Sequence, residues 1–345
     1  MTMRGLLRLI LILTLAVLPA AMVAQTEPVL TNYFRVPSFF NPAAAGDTDF
    51  IRLRAGSRMQ WLGIDGAPRD FIVAADTPFR LFGQRFGTGA VMLQETIGLY
   101  STLNVSAQLA YRRKIGKKGL TLSGAVQVGY LTQSFKGSEV FIPDDDDFHE
   151  STDEAIPTSD VTGSSVDLAA GLWVTHPKFY AGLSCSHLTA PVIKMKREGS
   201  ENTEEQNYEF QFSRTLYFMA GSNIPIKNTL FEVIPSLMLR SDFNRVQADV
   251  TARLRWKKFL GVGVGYRTED AVSVLLEAEF KGITIAYSYD YATSAIMRAS
   301  SGSHEVWLGY SLKLDFSEKN RNRHSGPRAP CRRAWVLSMT IRPLR

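Results

Sequence analysis

The stretch VQADVTARLRW (246–256) alternates strictly between apolar and polar side chains. Successive side chains of a β-strand point to opposite faces, so this pattern predicts a strand with one apolar and one polar face. The polar face carries Asp249, Arg253 and Arg255, and burying these charges in a soluble protein core would cost a large desolvation free energy. The stretch therefore predicts a membrane strand whose apolar face contacts lipid and whose polar face lines a wide interior.

The same alternation recurs along the chain in segments of about ten residues, which is the sequence pattern of a transmembrane β-barrel. Turn residues separate the segments, and the second, third and ninth segments alternate least clearly. The segments begin near residues 50, 69, 86, 99, 119, 164, 178, 208, 229, 244, 259, 270, 282 and 304. We predict an all-β fold, a transmembrane antiparallel β-barrel of about 14 strands over 50–316, because an even strand count is usual in bacterial barrels.

The polar faces of these segments carry many charged side chains. They are Arg52, Arg54, Arg58, Asp249, Arg253, Arg255, Glu277, Glu279, Asp290, Glu305, Lys313 and Asp315. In a wide barrel such side chains can pair with one another or stay hydrated, whereas a soluble core would bury them at high cost. The charges therefore favour a barrel with a polar lumen over a soluble β-sandwich.

The connections between the segments also sort by length. The long connections at 136–163, 189–206 and 292–303 are all odd-numbered, and the even-numbered connections are mostly tight. The tight ones are 114–118, 176–178, 225–228, 257–258 and 281–282. Bacterial membrane barrels combine short periplasmic turns with longer external loops. The loop lengths therefore predict a membrane barrel with both chain termini in the periplasm.

The two ends of the chain differ from the barrel segments. Residues 1–24 combine Arg4 and Arg8 with an apolar run and small residues, which predicts a secretory signal peptide. The apolar run is shorter than the roughly 20 residues that a membrane-spanning helix needs. Residues 317–345 are arginine-rich and without strand period, which indicates a disordered tail or the product of a reading-frame change near the natural stop. We expect export to the cell outer membrane.

The net charge does not indicate a nucleic-acid partner. The whole chain carries +6, of which the tail 317–345 contributes +7 and the signal 1–24 contributes +2, so residues 25–316 carry −3. Without a recognition motif or a basic groove in the barrel region, this charge distribution argues against nucleic-acid binding.

Few residues suggest catalysis or metal binding. Ser184 stands near His187 in the sequence, but a serine and a histidine form a catalytic pair only if the fold brings them into contact. Cys185 and Cys331 are the only cysteines, which gives neither a disulfide framework nor a metal-binding spacing. The acidic run at 144–147 lacks the spacing and glycine of a calcium loop, and a solvated acidic loop explains it. We predict no enzyme activity, no cofactor and no metal site.

Residues 25–49 have no long alternation and form a different kind of segment. Prolines stiffen the backbone and remove hydrogen-bond donors, so the segment cannot simply add a strand to the barrel. The aromatic side chains of Tyr33, Phe39 and Phe40 need burial. We predict that they and Asn41 organise either a plug at the mouth of the lumen or a docking surface for a partner, and an ordinary linker is the remaining alternative.

Two motifs carry a family resemblance, one in QTEPVLTNYFRVPSFFNPAAAG (25–46) and one in RMQWLGIDGAP (58–68). The motif positions are Gln25, Pro28, Tyr33, Asn41, Pro42, Ala43, Ala45, Gly46, Arg58, Gln60, Trp61, Gly63, Gly66, Ala67 and Pro68. Together these motifs resemble the PorP/SprF family, outer-membrane proteins of the type IX secretion system in Bacteroidetes. Shorter matches extend the resemblance over roughly 25–316.

The resemblance implies a non-enzymatic role in the export or surface anchoring of secreted proteins, including adhesins used in gliding motility. It implies three groups of partners: the type IX secretion machinery, periplasmic peptidoglycan-linked proteins and secreted surface proteins. The barrel itself predicts outer-membrane lipid around it. An outer-membrane porin or solute transporter is the alternative function, and a barrel enzyme that uses Ser184 and His187 is a third. A steady conductance in planar bilayers would favour the porin.

Overall fold

The computed structural model describes residues 27–116, 119–140, 157, 159–197 and 208–314. The strands are β1 (Phe50–Met59), β2 (Arg69–Leu81), β3 (Gln84–Ile97), β4 (Tyr100–Ile115), β5 (Leu120–Phe135), β6 (Val161–Thr175), β7 (Phe179–Ser186), β8 (Val192–Arg197), β9 (Tyr208–Gln211), β10 (Thr215–Ser222), β11 (Ile224–Pro225), β12 (Phe231–Ser241), β13 (Val246–Trp256), β14 (Leu260–Arg267), β15 (Ala271–Phe280), β16 (Ile283–Ala292) and β17 (Ser303–Lys313). One short α-helix covers Pro37–Phe40, and 3-10 turns cover Tyr33–Arg35, Pro42–Ala44, Gly137–Glu139 and Ala295–Arg298.

Fourteen of these strands, β1–β7, β10 and β12–β17, close into an antiparallel barrel. Each strand pairs with its neighbours in chain order, and β1 closes the barrel by pairing with β17 from Phe50 opposite Lys313 to Met59 opposite His304. Closure gives every wall strand two hydrogen-bonded neighbours. A barrel in a membrane needs this because lipid offers no hydrogen-bond partners for free backbone N–H and C=O groups. The predicted barrel and its strand count are confirmed.

The predicted strand starts agree with the structure to within a few residues, except at the eighth strand. The sequence pattern predicted a wall strand from near residue 208, but wall strand β10 begins at Thr215. Residues 208–211 form β9, which pairs with β8 in a hairpin inside the connection between β7 and β10. Ile193 and Met195 of β8 pack against Leu131 of the wall. The alternation near 208 therefore reflects burial against protein, and the prediction of a wall strand there is wrong.

The connections divide between the two ends of the barrel as predicted. We call the end with the even-numbered connections the short-turn end and the opposite end the long-loop end. The short-turn end carries connections 82–83, 116–119, 176–178, 223–230, 257–259 and 281–282, and the long-loop end carries 60–68, 98–99, 136–160, 187–214, 242–245, 268–270 and 293–302. All of the longest connections lie at the long-loop end.

The two faces of β13 have the environments that its alternation predicts. Val246 and Val250 point outward and keep 71% and 51% of their surface exposed, whereas Asp249 and Thr251 point inward and keep 4% and 3%. The same distribution of exposed apolar side chains continues around the barrel. An outer surface of this kind is stable only against lipid or another apolar partner.

Residues 27–49, which we call the luminal segment, run through the inside of the barrel. The buried side chains of Tyr33 and Phe40 belong to a core cluster with Trp173, Tyr217 and Trp307 of the wall. Trp307 lies on β17, nearly across the barrel from β6 and β10, which carry Trp173 and Tyr217 and have only β7 between them. The luminal segment therefore occupies the lumen.

The path of the luminal segment corrects one prediction. Glu27 contacts His187 and Tyr217 near the long-loop end, Phe34 and Arg35 line a cavity towards the short-turn end, and the chain enters β1 at that end at Phe50. The prediction that the chain begins at the short-turn end is therefore wrong for its described part. The loop-parity argument could not detect this path, because an irregular segment inside a barrel has no period and is not a connection.

In the described part of the chain, no helix is long and apolar enough to cross a lipid bilayer. The compact unit that contains the barrel ends at Lys313. Several predictions fall outside the described residues: the signal peptide 1–24, Gln25, the acidic run 144–147, and the tail 317–345 with Asp315 and Phe316 before it.

Candidate functional site

Asn41 fixes the luminal segment against the barrel wall. Its side chain accepts a hydrogen bond of 2.9 Å from the Ala43 N–H and donates one of 3.0 Å to the Leu172 carbonyl of β6. A Cβ atom on Gly171 would lie 2.1 Å from Asn41 Oδ1, and one on Gly182 would lie 2.8 Å from Asn41 Nδ2. The wall therefore has room for this amide only because these two positions on the neighbouring strands β6 and β7 are glycine.

The end of the same motif also touches wall backbone. Gly46 has a φ of +62°, in the left-handed region that favours glycine, and its N–H donates a hydrogen bond of 3.0 Å to Asp76. A Cβ atom on Gly87 of β3 would lie 2.0 Å from the Ala45 carbonyl oxygen. Arg112 of β4 donates a hydrogen bond to the Gly46 carbonyl. Small residues and two charged wall residues thus hold the segment just before it enters β1.

A buried charged cluster holds the beginning of the luminal segment. Arg58 pairs with Asp290 at 2.7 Å and with Glu305 at 3.1 Å. The Glu305 carboxylate accepts hydrogen bonds of 2.7 Å from the Thr31 N–H and 2.9 Å from the Asn32 N–H. Buried charges are tolerated only when charges and hydrogen-bond donors surround them. The luminal segment supplies the donors that complete this cluster.

His187 and Ser184 are not hydrogen-bonded to each other but each bind other groups. His187 Nε2 lies 2.5 Å from the Glu27 carboxylate, and its Nδ1 lies 3.0 Å from Asp167. The Ser184 hydroxyl donates a hydrogen bond of 2.7 Å to the Phe40 carbonyl. Both side chains therefore attach the wall to the luminal segment.

The charges around His187 determine its protonation. Burial alone would lower the pKa of His187, but the carboxylates of Glu27 and Asp167 outweigh burial and raise it to about 10. Burial alone would raise the pKa of Glu27, but the positive charge of His187 lowers it overall. A histidine that holds its proton at neutral pH is a poor general base.

The second motif shapes the connection 60–68 at the long-loop end. The Gln60 N–H donates a hydrogen bond of 3.0 Å to the Pro68 carbonyl, which closes the loop. Gly63 has a φ of +99°, and the Gly66 carbonyl accepts a hydrogen bond of 2.8 Å from Gly98 in the neighbouring connection. The glycines are therefore required by loop conformation, and the loop is tied to its neighbour.

The space between the luminal segment and the wall includes two small cavities. One of about 180 Å³ lies at the short-turn end, and one of about 40 Å³ lies beside Glu27 and Glu95. Both are smaller than the roughly 300–1,000 Å³ of a pocket for a drug-sized molecule. Within the described ranges, no group of three or more His, Cys, Asp or Glu side chains could hold a metal ion.

The comparison with protein families gives a direct match. The family described as "Type IX secretion system membrane protein PorP/SprF" matches residues 22–310. The chain belongs to the PorP/SprF family. Its barrel and this family together point to the outer membrane as its location. No curated protein matches the chain.

Solved barrels give distant matches to this PorP/SprF protein. The CymD monoaromatic hydrocarbon channel has a TM-score of 0.46 and 10% identity, covering 81% of this chain and 93% of that one. Outer membrane protein Omp33 of Acinetobacter baumannii has a TM-score of 0.41 and 7% identity, covering 76% and 97%. The translocator domain of autotransporter NalP from Neisseria meningitidis has a TM-score of 0.40 and 13% identity, covering 77% and 87%. None of them is similar enough to transfer a ligand or an activity.

The PorP/SprF motif positions fall into two places. Pro28, Tyr33, Asn41, Pro42, Ala43, Ala45 and Gly46 are buried in the luminal segment, whereas Gln60, Trp61, Gly63, Gly66, Ala67 and Pro68 form the connection 60–68. Arg58 links the two, because its guanidinium donates a hydrogen bond of 3.2 Å to the Thr31 hydroxyl. Gln25 lies outside the described residues.

Several residues that hold the luminal segment were not singled out from the sequence. Glu27, Thr31, Asp76, Arg112 and Asp167 each make one of the contacts described above. The sequence contains a weak indication for the four ionisable residues among them, because a charged side chain inside the barrel needs a buried partner. Alternation predicts which face a side chain occupies, but it does not predict which residue of the segment that side chain will meet.

Proposed function

We propose that this chain is a non-enzymatic outer-membrane component of the type IX secretion system that supports export or surface anchoring of secreted proteins such as adhesins. The observation that carries the proposal is the match to the PorP/SprF family over residues 22–310. Its partners would be the type IX secretion machinery, periplasmic peptidoglycan-linked proteins and the secreted proteins themselves. With the short-turn end in the periplasm, the long loops reach the cell surface.

The occupied lumen supports an accessory role over free diffusion of solutes. A diffusion porin needs a water-filled path, and here the luminal segment binds opposite sides of the wall. Asn41 binds β6, and Thr31 binds Glu305 of β17. The cavities beside the segment include one of about 180 Å³ and one of about 40 Å³, both small for a diffusion path. A protein that holds partners at its two rims has no need of an open lumen.

The experiment removes the gene in its natural host and compares the proteins at the cell surface with those in the parent strain. We expect one or a few secreted proteins to disappear from the surface, and a plasmid copy of the full chain to restore them. Affinity purification of a tagged chain from native outer membrane should recover type IX components. An unchanged surface together with no type IX component in the purified material would contradict the proposal.

The alternative function, a porin or solute transporter, is tested separately. The purified full chain in planar bilayers should give no steady open conductance if the luminal segment stays in place. A large steady conductance from the full chain would favour the porin.

A further inference from the structure

The cavity at the short-turn end has a strongly basic lining. It lies between the luminal segment and strands β1, β13 and β15–β17, and its volume is about 180 Å³. The cationic side chains that line it are Arg35, Arg54, Arg253, Arg255 and Lys258. The acidic lining residues are Glu277 and Glu279. The positive charges therefore outnumber the negative ones among the described lining residues.

The ion pairs within the lining leave cationic donors unused. Glu277 Oε2 is shared by Arg35 and by Arg253, the latter at 3.3 Å. Arg54 reaches Asp76 only at 3.4 Å, and that carboxylate already binds Arg52 at 2.6 Å.

Two arginines in this lining also have an unpaired nitrogen. The buried Nε atoms of Arg253 and Arg255 have no hydrogen-bond partner among the described residues. The Arg253 side chain is only 11% exposed, and a buried guanidinium N–H without an acceptor is costly. An oxyanion in the cavity would supply the missing acceptor.

The arginines are held in position before any ligand arrives. The Arg253 guanidinium carbon lies 3.4 Å from the ring centroid of Phe34, and that of Arg35 lies 5.5 Å from the same centroid. Stacking on an aromatic ring restricts a flexible side chain, so less entropy is lost when an anion binds. The planar guanidinium fork also matches the two oxygens of a carboxylate.

The rim around the cavity extends the positive charge. Exposed lysines at the short-turn end include Lys178, Lys227, Lys257, Lys258, Lys281 and Lys313, and the exposed acids there include Asp49 and Glu279. Arg255 pairs with Glu232 at 2.8 Å, so that acid is already engaged. A basic rim around a basic cavity raises the rate at which acidic ligands arrive.

We propose that this cavity binds a side-chain carboxylate from an acidic peptide segment of a periplasmic partner. The inference rests on the proposed function only for the side of the membrane that the short-turn end faces. The small volume admits a single side chain, so the partner inserts one acidic residue into the cavity, and the lysines of the rim act mainly on the rate at which the partner arrives. The luminal segment contributes Phe34 and Arg35, so the site exists only while that segment is in the lumen.

The experiment uses the purified full chain in phosphatidylcholine nanodiscs, which contain no anionic lipid. Fluorescein-labelled hexaglutamate is the probe, labelled hexaglutamine is the control, and fluorescence anisotropy at low ionic strength reports binding. Lys258→Gln and Lys257→Gln form a matched pair, because they sit on one turn and change the charge equally, but only Lys258 lines the cavity. Unboiled samples on SDS gels check that every variant is folded.

We expect hexaglutamate to bind the full chain and hexaglutamine not to bind. Arg54→Gln and Lys258→Gln should each raise the Kd for hexaglutamate about tenfold, as expected for loss of a charge-assisted contact, whereas Lys257→Gln should change it less than about twofold. Equal losses at Lys257 and Lys258 would assign the binding to the rim and overturn the cavity site.

Two further results would replace the proposed ligand. Displacement of the peptide by inorganic phosphate, but not by acetate at the same ionic strength, would make the cavity a phosphate site. Loss of peptide binding in nanodiscs that contain phosphatidylglycerol would assign the cavity to a lipid headgroup. Because these measurements use purified protein, their failure leaves the secretion proposal standing. Unchanged surface proteins in the deletion strain would contradict that proposal and not the cavity.

Discussion

His187 Nε2 lies 2.5 Å from the carboxylate of Glu27, and this contact joins the beginning of the luminal segment to the barrel wall. The two residues lie far apart in the sequence, and both are largely buried. The other ring nitrogen of His187 faces Asp167 on β6. The imidazolium is therefore shared between the luminal segment and the wall, and its removal would leave two buried carboxylates without their cation.

Replacement of this histidine should destabilise the protein. We expect His187→Ala to lower the free energy of unfolding by about 3–5 kcal/mol, the usual cost of removing one partner from a buried ion pair. Urea-induced unfolding in lipid vesicles measures the change. His176→Ala is the control, because that residue lies in a turn at the opposite end and makes no ion pair in the described structure. Equal effects of the two substitutions would show that the contact with Glu27 does not stabilise the segment.

The same contact predicts a pH dependence. The folded protein holds the pKa of His187 at about 10, above its unfolded value of roughly 6.5. The contribution of His187 is therefore complete below the unfolded pKa and is lost as the pH rises towards the folded pKa. The stability difference between the natural chain and His187→Ala should shrink between about pH 6.5 and pH 10. A difference that stays constant over this range would contradict the protonated state of the histidine.

The barrel could be predicted from the sequence because alternation is a local signal. Val246 and Asp249 already differ in polarity along one strand, and the structure places them on opposite faces. The hairpin of β8 and β9 could not be separated from wall strands in this way. Residues 208–211 alternate like any amphipathic strand. The hairpin differs from a wall strand only in that its apolar side chains, such as Ile193 of β8, pack against protein and not against lipid.

The contacts inside the lumen could not be predicted, for a different physical reason. Thr31 meets Glu305, and Glu27 meets His187, across separations that no local pattern encodes. The family motifs identified Asn41 and Gly46 as positions of interest, but not the wall glycines that give them space. Which wall glycine lies against the backbone of the luminal segment depends on the register of all the strands around the barrel. Gly87, which lies against the Ala45 carbonyl, is an example.

A charged side chain on the outer face of the barrel should cost most near the middle of the bilayer and least near its interfaces. Val250→Arg should disfavour membrane insertion by about 2–4 kcal/mol because Val250 lies in the middle of β13, whereas Val246→Arg should cost about 0–1 kcal/mol near the interface. Both side chains point outward, with 51% and 71% exposed, so the two variants differ mainly in depth. Folding from urea into vesicles measures both. Equal costs at the two positions would contradict the proposed membrane depth.

A single methyl group on β3 should displace the luminal segment. The Cβ atom of Gly87→Ala would lie 2.0 Å from the Ala45 carbonyl oxygen, so the segment must move away from the wall at a cost of about 1–3 kcal/mol. We expect intermittent ion conductance in planar bilayers. Gly124→Ala is the matched control in β5, where the nearest atom to the new Cβ is a Leu172 side-chain carbon at 3.6 Å. A silent Gly87→Ala barrel would mean that the segment adjusts without opening a path.

Removal of most of the luminal segment should open the lumen. Deleting residues 26–40 removes Thr31, which binds Glu305, and the aromatic side chains of Tyr33 and Phe40, but it leaves Asn41 and every wall strand in place. The strands pair with one another independently of the segment, so we expect a folded barrel that still migrates faster than the boiled protein on SDS gels. Its inward charges would then line a water-filled path, and planar bilayers should record a steady conductance that the full chain lacks. A variant in which the same residues are replaced by glycine and serine should also conduct ions, because a segment of the same length without the large side chains does not fill the lumen. A truncated barrel that stays silent and keeps every co-purifying partner would show that the segment is only a linker.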